Sequence, residues 1–235
     1  MWFNVVITSL LVITLVYLML ARMAAERLAR THHEQKCDFF AHHPISREDI
    51  VFLGDSITDG ARWDELFPGF PVKNRGINAD TTRGVLERLD SILPGQPVAI
   101  FLLIGTNDLP WFMFRSDRDI LETYAAILER CRSESPSTQV FVQSILPRAR
   151  GYAKRIRRLN AELEKLALRF DYPFINLFPR FADPEGQIRP ELSNDRLHLM
   201  AIGYDLWVEQ IRPLIISLRS SSLSAAPQPK RTPSQ

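Results

Sequence analysis

The run VAIFLLI, Val98 to Ile104, is apolar at every position. A strand with water on one face alternates polar and apolar residues, so an unbroken apolar run describes a strand covered on both faces, as in the middle of a parallel sheet. IVFL (Ile50 to Leu53) and QVFVQSIL (Gln139 to Leu146) carry shorter versions of the same pattern, with VKNRGI and FINLF as further short strands. Between them the spacing turns helical. In TTRGVLERLDSIL, residues Val85, Leu86, Leu89, Ile92 and Leu93 fall on one face, and DILETYAAILERC, YAKRIRRLNAELEKLALRF and a last stretch from about Ala201 to Leu218 also read as helices. Strand and helix in alternation predict an α/β fold, a parallel sheet of about five strands with helices on both faces.

The ends of the chain differ in composition from this middle. WFNVVITSLLVITLVYLML, Trp2 to Leu20, contains no charge and approaches the ~20 residues that a helix needs to span a hydrocarbon core, so residues 1–21 are expected to be a transmembrane anchor. No Lys or Arg precedes the run and ARMAAERLAR offers no small-x-small cleavage site, which argues against a removable secretory signal. Arg22, Arg27, Arg30 and Lys36 all follow it, and the positive-inside rule then puts the main domain in the cytoplasm, with the periplasmic or extracellular side left open. The expected division is anchor, tether (22–45), folded domain (46–218) and a disordered tail (219–235) too poor in apolar residues to fold. A formal net charge of +2 is too small to imply nucleic acid, and Cys37 and Cys131 form no ligand or redox spacing, so whether they pair stays open. Oligomeric state leaves no trace in the sequence.

In a parallel α/β sheet, ligands sit beyond the carboxyl ends of the strands, where strand order reverses. Three such ends are polar and contain glycine: Gly54-Asp55-Ser56, Asn74-Arg75-Gly76 and Gly105-Thr106-Asn107-Asp108. Ser56 in that place either caps the helix that follows or acts as a nucleophile, and as a nucleophile it needs a histidine base whose tautomer a carboxylate fixes. Of the five histidines, His32, His33, His42 and His43 lie in the tether and only His198 lies in the folded domain, with Asp195 three residues before it. Gly76 and Asn107 read equally well as turn residues, yet the N–H groups of Ser56 and Gly76 with the Asn107 amide also make a set of donors suited to a developing oxyanion. Asp55 and Asp108 read as braces of their turns. LPWFMF, Leu109 to Phe114, is either a satellite core or a substrate surface in which Trp111, Phe112 and Phe114 meet an acyl chain. Lys154, Arg155, Arg157 and Arg158 read as a solvated helix face. The chemistry calls for no cofactor and no metal, although the His32-His33 and His42-His43 pairs with Cys37 are metal-ligand types.

The blocks FLGDSITDG, NRGINADTT, LLIGTNDL and DRLHL, in this order, resemble the SGNH hydrolases, also called GDSL esterases and lipases. The resemblance extends from Ile50 to about Leu214 and implies a flavodoxin-like three-layer αβα sandwich. It also implies Ser56 as nucleophile and oxyanion donor, Gly76 and Asn107 as the other donors, and Asp195 and His198 as the rest of a triad. Within the family, WDELF, DTTRGVLERLD, SILPR and LHLMAIGY are similar to the catalytic subunits of intracellular platelet-activating-factor acetylhydrolase. The expected activity is hydrolysis of acetyl or other acyl esters through an acyl-enzyme. Acyl transfer by the same site and lysophospholipase or thioesterase action are the alternatives, and the expected substrate is a small-molecule, lipid or glycan ester, with the lipid bilayer as a further partner.

Overall fold

A computed structural model describes residues 2–225. The strands lie in one parallel sheet in the order β2-β1-β3-β4-β5, formed by β1 (Ile50–Gly54), β2 (Val72–Gly76), β3 (Ala99–Leu103), β4 (Gln139–Gln143) and β5 (Phe174–Ile175). Alternation along each strand sorts the core into two. Val51, Leu53, Ile100, Leu102, Val140 and Val142 face one layer, against Val85 of α4 (Thr82–Glu87), Ile127 and Leu128 of α5 (Asp117–Glu134) and Leu159 and Leu163 of α6 (Ala153–Arg169). Ile50, Phe52, Phe101, Leu103 and Phe141 face the other, against Trp63 of α3 (Trp63–Leu66), Phe181 of α7 (Phe178–Phe181) and Trp207, Ile211 and Ile215 of α8 (Ala201–Ala225). The result is the expected three layers. Each such side chain contributes about 1.5–3 kcal/mol on full burial, and the aromatic members add directional contacts: Phe52 stacks on Trp63 with ring centroids 3.5 Å apart, and Trp207 meets Trp63 edge-on at 5.0 Å. The buried indole of Trp207 keeps its N–H satisfied by donating to Gln143 Oε1 at 2.7 Å.

The chain reverses its direction of travel across the sheet between β1 and β3, both of which are fully buried. That is the position at which open α/β sheets hold their ligands. The expected helix over Thr81 to Leu93 stops early, at Glu87, because Arg88 turns its guanidinium inward to Asp80 Oδ2 and to the carbonyl of Gly54, and two short 3₁₀ turns follow.

Among the described residues no helix is long and apolar enough to cross a membrane. This corrects the expectation of a transmembrane helix over Trp2 to Leu20, and the single-pass anchor, the bilayer partner and the cytoplasmic placement drawn from it fall with it. The segment does form a helix, α1 (Trp2–His42), which continues past the uncharged run through Arg22, Glu26, Arg27 and Arg30. Arg22 and Glu26 pair one turn apart at 2.7 Å. The helix runs through the expected tether, and its last turns lie against the sheet edge, with Phe40 only 3% exposed. At the other end α8 continues to Ala225, into the stretch expected to be disordered, whereas residues 226–235 lie outside the described residues.

Candidate active site

Ser56 opens α2 (Ser56–Asp59), directly after β1. The capping role belongs to its neighbour: Asp55 is the N-cap, and its Oδ1 accepts the N–H of Ile57 at 3.0 Å. The Ser56 hydroxyl is thereby left for other partners. It lies 2.9 Å from Nε2 of His198, across 142 positions of sequence. Gly54, which ends β1, must be glycine, because a Cβ there would run into the carbonyl of Leu103 and the hydroxyl of Thr58. This close approach brings the nucleophile turn against β3.

His198 is held by the turn from Ser193 to Leu199. Asp195 divides its two oxygens: Oδ1 accepts the N–H groups of Leu197 (2.9 Å) and His198 (2.8 Å), closing the turn, while Oδ2 lies 2.6 Å from His198 Nδ1. The buried Ser193 hydroxyl ties the same turn by accepting from Leu197 N–H at 3.1 Å. Burial raises the Asp195 carboxyl, but the hydrogen bonds from the His198 ring and from the His198 and Leu197 N–H groups outweigh it and hold the group well below the usual carboxylate range. A carboxylate on Nδ1 places the ring proton there and leaves Nε2 as an acceptor facing Ser56.

Asn107 sits in the 3₁₀ turn Thr106–Asp108 beyond β3. Its Nδ2 donates to the carbonyl of Asp80 at 2.9 Å, which fixes the plane of the amide and leaves its second N–H available. Asp108 braces this turn from below by accepting the N–H and hydroxyl of Thr82 at 3.0 and 2.9 Å. Arg148 braces it from the side, donating to the carbonyl of Thr106 at 2.8 Å. Gly76 is placed differently from the expected donor. Its N–H is taken by Asn74 Oδ1 at 2.9 Å, and a Cβ on it would collide with the backbone of Asp59, so this glycine serves the packing of α2 on the end of β2. Three residues on, Ala79 is exposed, has a left-handed backbone (φ 61°) and precedes the residue that orients Asn107. No sequence signal pointed to it, since alanine rarely adopts that conformation.

The segment after Asn107 divides. Leu109 joins the core, Phe112 and Phe114 are half and largely exposed, and the Trp111 side chain lies outside what the structure describes. The basic cluster on α6 does more than meet solvent: Arg155 donates to the carbonyls of Leu109 and Arg115, both at 2.6 Å, and with Arg158 grips Asp117, clasping the loop that carries these aromatics.

Behind the nucleophile, Asp55 is completely buried and its Oδ2 has no partner among the described residues. Burial first, and then the nearby Asp80 and Asp108, push its carboxyl up to about 7 against the Ile57 N–H that lowers it. The unfolded value is about 3.9. A folded pKa above the unfolded one means that the stabilising proton is bound fully below about pH 3.9 and is lost as pH rises through about 7, so stability falls over that window. Asp55→Asn, which mimics the neutral acid, should flatten this fall. Denaturant titrations at intervals from pH 4 to 8 measure it, and an unchanged slope would refute the assignment.

Comparisons with known proteins give the family. A family model, the GDSL-like lipase/acylhydrolase family, matches residues 52–206. Platelet-activating factor acetylhydrolase IB subunit alpha1 of Bos taurus is 27% identical over 216 residues, covering 86% of this chain and 89% of that protein. The alpha2 subunit of Rattus norvegicus is 28% identical over 196 residues, covering 78% and 81%. A solved structure from Streptococcus pneumonia, described as a platelet activating factor, superposes with a TM-score of 0.76 at 27% identity, covering 83% of this chain and 98% of that one. With a parallel sheet whose switch point carries Ser56, Asn107 and His198 at its rim, the chain belongs to the GDSL-like lipase/acylhydrolase family and is an ester hydrolase.

Proposed function

We propose that the chain cleaves an acetyl or other short acyl ester through a covalent Ser56 intermediate. The observation that carries this reading is the continuous contact from Ser56 Oγ to His198 Nε2 (2.9 Å) and from His198 Nδ1 to Asp195 Oδ2 (2.6 Å). Ser56 Oγ attacks the carbonyl carbon while its proton passes to Nε2. The tetrahedral oxyanion is met by the N–H of Ser56 and the free N–H of the Asn107 amide, whereas the N–H of Gly76, expected as a third donor, is engaged by Asn74. As the carbon–oxygen bond to the leaving alcohol breaks, His198 returns its proton to that alcohol. Water then attacks the acyl-serine by the same route. The acetylhydrolase relatives support a short acyl group, and the exposed Phe112 and Phe114 beside the Asn107 turn supply apolar surface for the remainder of the substrate.

The test is a fluorophosphonate probe on the full chain, read by mass spectrometry, together with steady-state hydrolysis of p-nitrophenyl acetate. The label is expected on Ser56. Asn107→Ala is expected to keep the label at the same residue and to lose turnover on the order of 10² to 10³, the usual effect of removing one oxyanion donor. A label on any other residue, or Asn107→Ala turnover equal to that of the unaltered chain, would contradict the scheme.

A further inference from the structure

The last turns of α1 touch the Ser56 helix and the turn that follows β2. Lys36 Nζ pairs with Asp59 Oδ1 at 2.6 Å, and Asp59 is the last residue of the short helix that begins with Ser56. The carbonyl of Asp59 in turn accepts from Asn74 Nδ2 at 3.0 Å, and Asn74 holds Gly76. Phe40 lies beneath two guanidinium groups, 4.5 Å from that of Arg75 and 5.9 Å from that of Arg88. Arg75 leads into the turn that carries Asp80 and is tied to the residue after α1 by donating to the carbonyl of His43 at 2.6 Å. Arg88 joins Asp80 Oδ2 (2.7 Å) and the Gly54 carbonyl (3.0 Å), and the carbonyl of Asp80 orients Asn107. From the helix side His33 Nε2 stands 3.9 Å from Asp80 Oδ1, and His32 Nε2 the same distance from Asp59 Oδ2.

The Arg88–Asp80 pair is 4% and 2% exposed, with Phe40 packed beside it. Keeping water from such a pair strengthens it and fixes the position of both partners. Misplacing an oxyanion donor by about 1 Å is enough to cost on the order of 10²-fold in rate. An element that seals this pair therefore acts on the chemistry without meeting substrate.

We propose that the segment from His32 to His43, the last turns of α1 and the residue after them, is a positioning element for the oxyanion loops, with Phe40 and Lys36 as positioning residues that hold the Arg75–Asp80 turn and the Ser56 helix in register. The proposal rests on the scheme above. Its reach is the Asn107 donor, through Phe40 and the Arg88–Asp80 pair, and the Ser56 turn through Lys36.

The experiment uses the full chain with Phe40→Ala, Phe40→Leu and Lys36→Met, steady-state kinetics on p-nitrophenyl acetate and circular-dichroism melts. Phe40→Ala is expected to lower kcat by about 10- to 100-fold with KM within about twofold, as loss of orientation rather than of binding predicts. Phe40→Leu, which restores the apolar cover, recovers most of that loss, and Lys36→Met lowers kcat at least about threefold by the same route. Folded Phe40→Ala protein with unchanged kcat would overturn the proposal. Should Phe40→Ala not fold, Lys36→Met decides: a lowered kcat at constant KM supports the proposal and an unchanged kcat overturns it. Ser56→Ala separates the two levels. If it abolishes hydrolysis while the α1 variants leave kcat intact, the positioning role alone fails; if Ser56→Ala retains the full rate, the catalytic scheme fails first.

Discussion

Ser56→Ala should abolish ester hydrolysis down to the level that the remaining oxyanion donors support, a loss on the order of 10⁶-fold in kcat. The same substitution should leave stability within about 0.5 kcal/mol, the range of changes at positions with no structural duty. Both halves follow from the division of labour at the end of β1. Asp55 satisfies the first turn of α2 by accepting the N–H of Ile57, and the one hydrogen bond described for the Ser56 hydroxyl is to His198. Had Ser56 been the cap, its removal would cost about 1 kcal/mol of stability. Turnover and thermal melting of the same purified variant decide between the two roles. Loss of stability with retained turnover would return Ser56 to a capping role.

The sheet and its two packed layers were legible because burial on both faces leaves the strongest pattern a sequence can carry. VAIFLLI and IVFL lie in β3 and β1, at the centre of the sheet, and the apolar faces of α5 and α6 pack as their spacing requires. Ser56, Asp195 and His198 could be named as a set because one histidine outside the N-terminal segment left little choice of base; their contact, over 142 positions, is a property of the fold. Backbone chemistry was hidden. Whether the N–H of Gly76 is free depends on where the Asn74 side chain turns, and the φ of 61° at Ala79 leaves no mark on its type. The N-terminal segment misled for a related reason. An uncharged run announces burial in something apolar but not in what, and α1 carries the run on through Arg22, Glu26 and Arg27 as one helix, on which His32 and His33, read as part of a loose tether, face Asp59 and Asp80.

The sharpest test of the proton path is Asp195→Asn. The carboxylate does two things at once: Oδ1 closes the turn on the N–H groups of Leu197 and His198, and Oδ2 meets His198 Nδ1. An asparagine oxygen in the Oδ1 position still accepts both N–H groups, so the turn and the placement of His198 persist. Its amide nitrogen then faces Nδ1 and can only donate to it, which moves the ring proton to Nε2. A protonated Nε2 cannot take the proton of Ser56. The expected result is a fall in kcat on the order of 10⁴-fold with little change in KM, the size found when a triad carboxylate is replaced by its amide and the tautomer is reversed. Fluorophosphonate labelling of Ser56 should slow in proportion, because it depends on the same proton transfer. The carboxylate is held below the ordinary range by those hydrogen bonds, so the native chain keeps it ionised well into the acid range. A folded Asp195→Asn protein with turnover within tenfold of the native chain would mean that Nε2 is kept free by some other group, and the triad reading of this turn would have to be abandoned.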